Sequence, residues 1–127
     1  MKIHERLEAD SLFIKDLELS QLRMIKDGDN PWFLLIPRKE GLVDWSDLSR
    51  EDQHLLTDEI DFVCKKIQQK IEPDKLNVAS LGNMVPQLHI HIIARFKTDR
   101  AWPGPIWGSD SISEFTEKLF QEWLVEF

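Results

Sequence analysis

Between Ser49 and Pro73 the apolar residues Leu56, Ile60, Val63, Ile67 and Ile71 recur every three or four positions, a spacing that predicts one long amphipathic helix over residues 49–71. Ser49 can cap its N-terminus, Glu51 and Asp52 put negative charge in the first turn, and Pro73 stops it. A helix with one apolar stripe is stable only against an apolar surface. Strand-like runs on both sides supply that surface. Trp32-Phe33-Leu34-Leu35-Ile36 reads as a buried strand closed by Pro37, and the turn formers Asp27-Gly28-Asp29-Asn30-Pro31 precede it. Residues 12–14 and the apolar positions from Leu17 to Ile25 predict two short strands that pair with it as hairpins.

Residues 76–81 and 86–96 predict two further strands joined through Gly82-Asn83, and residues 3–10 one or two helical turns. A last helix is expected from Ser111, whose partner Glu114 completes a capping-box pattern, to about residue 125, with Ile112, Phe115, Leu119 and Trp123 on its apolar face. The expected class is α+β, a mainly antiparallel sheet of about five strands with one long central helix and a C-terminal helix. One domain is expected over residues 1–127, with its core at about 10–108. Asp99 to Gly108, carrying Trp102-Pro103-Gly104-Pro105 and Trp107, is expected to be irregular, a lid or an interface arm.

Charge and cysteine content narrow the function. The chain has 16 basic and 23 acidic residues, a net charge of −7 and no basic cluster, which argues against nucleic acid as a partner. Cys64 is the single cysteine, so neither an internal disulfide nor a multi-thiolate zinc motif is available. No run approaches the roughly 20 apolar residues of a membrane span. Residues 1–6 lack the apolar core of a secretion signal, so a cytoplasmic location is expected.

The chemistry concentrates in Gln87-Leu88-His89-Ile90-His91-Ile92-Ile93. Strict alternation puts Gln87, His89 and His91 on one strand face and Leu88, Ile90 and Ile92 in the core. Two alternate histidines are, by themselves, more often structural than chemical. Their approach, Leu81-Gly82-Asn83-Met84-Val85-Pro86, can offer backbone N–H groups to an anion, which favours phosphate chemistry. A neutral imidazole is a competent nucleophile near neutral pH, and a second one can act as donor. Zinc would need further ligands, and Cys64, His4 and His54 lie in unrelated segments.

In its order of motifs the chain resembles the histidine triad (HIT) family. Residues 87–93 are similar to the signature His-φ-His-φ-His-φ-φ, φ being apolar, with Gln87 in place of the first histidine. The strand Phe33-Leu34-Leu35-Ile36-Pro37-Arg38-Lys39, the approach Trp45-Ser46-Asp47-Leu48 to the long helix, Gly82-Asn83 and Trp102-Pro103 also fit, so the resemblance spans about 10–108. It implies a homodimer paired through its sheet edges and a purine nucleotide or nucleotide conjugate as ligand, while the charge balance and the lack of a long apolar run leave neither nucleic acid nor membrane as an expected partner. It implies hydrolysis or nucleotidyl transfer at the α-phosphate of phosphoramidates, adenylated groups or dinucleoside polyphosphates. The alternative on the same scaffold is a nucleotide-binding regulatory protein with little turnover.

By position the resemblance makes His89 the nucleophile, its second ring nitrogen held by a main-chain carbonyl, and His91 a donor and proton source. Asn83 is expected to hold phosphate oxygens, with Asn77 a weaker candidate for the same pocket. Asp27, Asp29 and Asn30 compete to grip the ribose, and Asp27 is preferred. No protein-bound cofactor or metal is expected, which leaves room for Mg²⁺ alongside a polyphosphate substrate. Arg38, Arg95 and Arg100 read as surface charges. Trp32 stands where many members carry another histidine, and its presence together with Gln87 suggests two linked changes in one network.

Overall fold

The computed structural model describes all 127 residues. Helix α1 (Glu5–Asp10) leads into β1 (Ser11–Asp16), β2 (Ser20–Ile25) and β3 (Trp32–Pro37). A 3₁₀ turn at Trp45–Asp47 precedes α2 (Arg50–Lys70), and β4 (Lys75–Ala79), β5 (Ile90–Arg95) and α3 (Glu117–Leu124) follow. The five strands form one antiparallel sheet in the order β1-β2-β3-β5-β4.

Helix α2 starts as expected, with the Ser49 hydroxyl accepting from the Asp52 N–H at 3.1 Å. Its Leu56, Val63 and Ile67 are fully buried against one sheet face, where Leu22 and Met24 of β2, Phe33 and Leu35 of β3, and Ile90, Ile92 and Ala94 of β5 meet them. Glu59, which the apolar stripe gives no reason to single out, is buried on the same helix. Its Oε2 accepts from the Leu19 and Ser20 N–H groups at 2.8 and 3.3 Å, tying α2 to the start of β2.

The alternate residues face the other side, and that side is covered too. Leu34 and Ile36 pack with Ile3, Leu7 and Val85, and Trp32 and Ile93 pack with Ile106. All six residues of β3 and all six of β5 are therefore buried. The N-terminal segment covers one part of this second face and the loop after β5 another.

The C-terminal helix begins later than its capping-box pattern predicts. Thr116 is the cap, its hydroxyl accepting from the Leu119 N–H at 3.1 Å. The Ser111 hydroxyl instead accepts from the Gly28 N–H at 2.9 Å, and the Asp29 carboxylate takes the N–H groups of Ile112 and Ser113 at 2.7 Å each. Residues 111–113 thus dock on the β2–β3 turn. Contact is so close that a Cβ on Gly28 would fall 2.0 Å from the Ser113 carbonyl oxygen.

Candidate functional site

On the second sheet face a cavity of about 580 Å³ opens between α1, the loop at 81–85, β3 and β5. Both histidines of the alternating run stand on its wall, His89 6% and His91 8% exposed. The register pairs His91 with Leu34 of β3 and Ala79 of β4. The imidazoles are 4.9 Å apart between centroids, tilted by 68°.

Their outer contacts make the two rings different. His89 Nδ1 lies 2.7 Å from the Gln87 carbonyl oxygen, which only accepts, so Nδ1 carries the proton and donates. In the neutral ring the lone pair is then on Nε2. His91 Nδ1 lies 3.0 Å from the indole nitrogen of Trp32, which only donates, so Nδ1 accepts and the proton sits on Nε2. Neither Nε2 has a hydrogen-bond partner within the protein. One ring offers the cavity a lone pair and the other an N–H.

Burial works in the same direction. Desolvation lowers the pKa of His89, offset in part by the Gln87 carbonyl and reinforced by His4. Desolvation, then the neighbouring His89, lowers His91 to about 4. Both rings are neutral at neutral pH. The remaining walls are mostly apolar, with Leu7, Ile25, Val85 and Trp107 among them, and Arg6, Asp10 and Lys26 carry charge. Trp107 packs edge-on to both Trp32 and His91, at 6.1 and 5.1 Å between centroids.

Asn83 and Gly82 line the cavity. Gly82 has φ +74°, a left-handed conformation that only glycine adopts freely, so it turns the loop toward the histidines. Asp27 is not on the wall. It is 5% exposed and meets Arg100 at 2.8 Å, while its Oδ2 accepts from the Asp29 and Asn30 N–H groups at 3.1 and 2.8 Å. The ribose expectation thus meets a carboxylate already spent on the β2–β3 turn, and Asp29 shares Arg100 with it. The acid that does line the cavity is Asp10, which sequence reasoning missed because nothing local distinguishes it from any acid at a helix end.

Asn77 is also directed elsewhere, its Oδ1 accepting from Arg95 at 2.9 Å. Arg95 and Arg100 are not surface charges. Arg95 is 2% exposed and donates to both Asp99 oxygens and to the Gly104 carbonyl, with the Trp102 ring over its guanidinium at 5.8 Å. Of the two tryptophans on the irregular segment, Trp107 therefore reaches the cavity and Trp102 packs on Arg95.

Gln87 and Trp32 do not share a network. The Gln87 Oε1 accepts from the His4 N–H at 2.7 Å and its Nε2 donates to the Lys2 carbonyl at 3.2 Å. This side chain lines a separate cavity with residues 1–5 and 39–43. It pins the segment that leads into α1, while Trp32 acts on His91.

The HIT domain profile matches residues 6–98. The chain belongs to the histidine triad family. That family comprises nucleotide-binding proteins that are typically hydrolases or transferases. Three solved structures share the fold closely. A histidine triad protein from Bradyrhizobium japonicum is 42% identical with a TM-score of 0.94, the match covering 98% of this chain and 93% of that one. A histidine triad protein from Sinorhizobium meliloti 1021 is 34% identical at 0.93, covering 98% and 93%. One from Marinobacter aquaeolei VT8 is 37% identical at 0.92, covering 98% and 91%. No curated protein sequence matches the chain significantly. No three His, Cys, Asp or Glu side chains cluster in a metal-binding arrangement.

Proposed function

We propose that this HIT protein cleaves nucleotide conjugates at the α-phosphate through a covalent nucleotidyl-histidine on His89. The observation that carries the reading is the opposite polarity of the two free ring nitrogens, a lone pair on His89 Nε2 and an N–H on His91 Nε2, on one cavity wall. His89 Nε2 attacks phosphorus, forming the P–N bond as the leaving group departs with its electron pair. Water then breaks that bond, releasing the nucleoside monophosphate and returning the electron pair to Nε2. The His91 N–H donates to a phosphoryl oxygen as charge builds there. Asn83 and the turn at Gly82 supply further donors to the phosphate.

In this reading Gln87 occupies the first triad position, and its backbone carbonyl, which orients His89, is independent of the side chain. Apolar walls with Trp107 suit a purine base. Mg²⁺ would accompany a polyphosphate substrate rather than bind the protein. A homodimer would form through β4, an edge strand with Val78 exposed, in keeping with a cytoplasmic nucleotide enzyme. Intact mass spectrometry with a panel of activated purine nucleotides tests the chemistry. A nucleotidyl adduct is expected on the wild type and not on His89→Ala, and no adduct or turnover with any conjugate refutes it. Light scattering tests the dimer.

A further inference from the structure

A histidine that is to protonate a leaving group must itself be able to hold two protons. His91 is poorly placed to do so. Its Nδ1 faces the Trp32 indole N–H at 3.0 Å, and an indole nitrogen cannot turn round to accept. Protonating His91 would set two donors against each other inside a buried aromatic cluster, with Trp107 edge-on at 5.1 Å. The neighbouring strand position adds to the bias. Once His89 carries a phosphoryl group on Nε2 and keeps its Nδ1 proton on the Gln87 carbonyl, its ring is cationic, 4.9 Å from His91. Two adjacent imidazolium charges out of water are strongly disfavoured.

The other charged groups on the cavity wall do not replace this function. Arg6, Asp10 and Lys26 make no hydrogen bond to either histidine, and the Lys26 Nζ donates to the Ala9 carbonyl at 3.0 Å. Resting on the function proposed above, we infer that Trp32 is a positioning residue that locks His91 as a neutral Nε2–H donor, so that the site favours conjugates whose leaving group departs without a proton, carboxylates and phosphates, over amines. In the favoured case the balance closes without an acid. The P–N bond to His89 forms, the P–O bond breaks, and its electron pair leaves on an oxygen that is a stable anion at neutral pH. An amine can leave phosphorus only with a proton, and the lowered pKa of His91 supplies none.

Two measurements on the unmodified protein test this, so neither depends on a variant that folds. The ring nitrogens of His91, followed by ¹⁵N NMR, are expected to give the neutral Nε2–H pattern at pH 6. An adenosine acyl phosphate and an adenosine phosphoramidate with an alkylamine leaving group, each rate divided by its uncatalysed rate, are expected to differ by about 100-fold in favour of the acyl phosphate. That is the lower end of what a general acid contributes. In Trp32→Phe, which keeps an aromatic ring and removes the N–H, His91 should take up a proton at higher pH and the ratio should narrow by about tenfold. A protonated His91 in the wild type at pH 6, or normalised rates within tenfold of each other, overturns the inference and leaves the His89 adduct standing. Failure of both conjugates to label His89 refutes the proposed function, and the leaving-group preference with it.

Discussion

His91 and Arg95 lie four residues apart on the same face of β5, and both are buried polar side chains in a sheet that is otherwise apolar there. Arg95 has its donors taken up by Asp99, Asn77 and the Gly104 carbonyl. His91 has one nitrogen satisfied by Trp32 and the other facing the cavity, and His89 repeats the pattern with a backbone carbonyl. The difference teaches how one strand carries both structure and chemistry. Where every polar atom has an internal partner, burial makes a staple. Where one atom is held back, burial makes a reagent.

The largest effect that should separate the two ends is on turnover. His89→Ala is expected to lower kcat by about 10⁴-fold or more, the scale seen when a nucleophile is removed, while the denaturation midpoint moves little. A midpoint shift as large as that of an Arg95 variant would erase the distinction. Arg95→Leu is expected to do the reverse, costing about 3–5 kcal/mol in urea unfolding because it leaves Asp99 buried without its counter-charge. Arg95 and the Phe96 and Ala101 N–H groups hold the Asp99 carboxyl well below the usual carboxylate range, so this network stays ionised through mildly acidic pH.

The pH dependence of stability sharpens the contrast. Between its ordinary value of 6.5 and its folded value of about 4, His91 binds a proton in the unfolded chain and not in the folded one. Stability should therefore be flat above pH 6.5 and fall by ~3 kcal/mol as pH drops toward 4, with the lowered His89 adding to the same slope. His91→Asn should flatten most of it, and an unchanged slope in that variant would assign the titration elsewhere. The smallest effect belongs to Asn77. Asn77→Ala removes one acceptor from Arg95 and is expected to cost about 1–2 kcal/mol with kcat/KM unaltered. A loss of kcat/KM without a loss of stability would return Asn77 to the nucleotide pocket.

What could be read from the sequence divides along the same line. The 3.6-residue stripe of α2, the unbroken apolar run of β3 and the alternation of β5 are local patterns, and the structure has all three. The histidines' side of the sheet and the Gly82-Asn83 turn followed from them. Asp27 and Arg100, which pair across 73 residues, and Asn77, whose partner Arg95 is 18 residues away, were misread because no window contains both ends. Arg95 was misread although Asp99 is only four residues on, because its burial is set by the covered face of β5. Ser111 matched a capping box and yet serves Gly28, since a tertiary partner outcompeted the local one. Trp32 and His91 are diagonal neighbours only in the register that pairs Leu34 with His91. Until that register is known, nothing in the sequence ties Trp32 to His91 rather than to Gln87.

The clustering of Trp32 and Trp107 around His91 also makes the protein its own optical indicator. Two of its five indoles border the cavity, one hydrogen-bonded to an imidazole and the other edge-on to it, while Trp45, Trp102 and Trp123 lie outside its wall. Occupation of the cavity, or a change in the charge of either histidine, alters the surroundings of those two emitters directly. Filling of the pocket can thus be followed in real time by native fluorescence, without a label to disturb it.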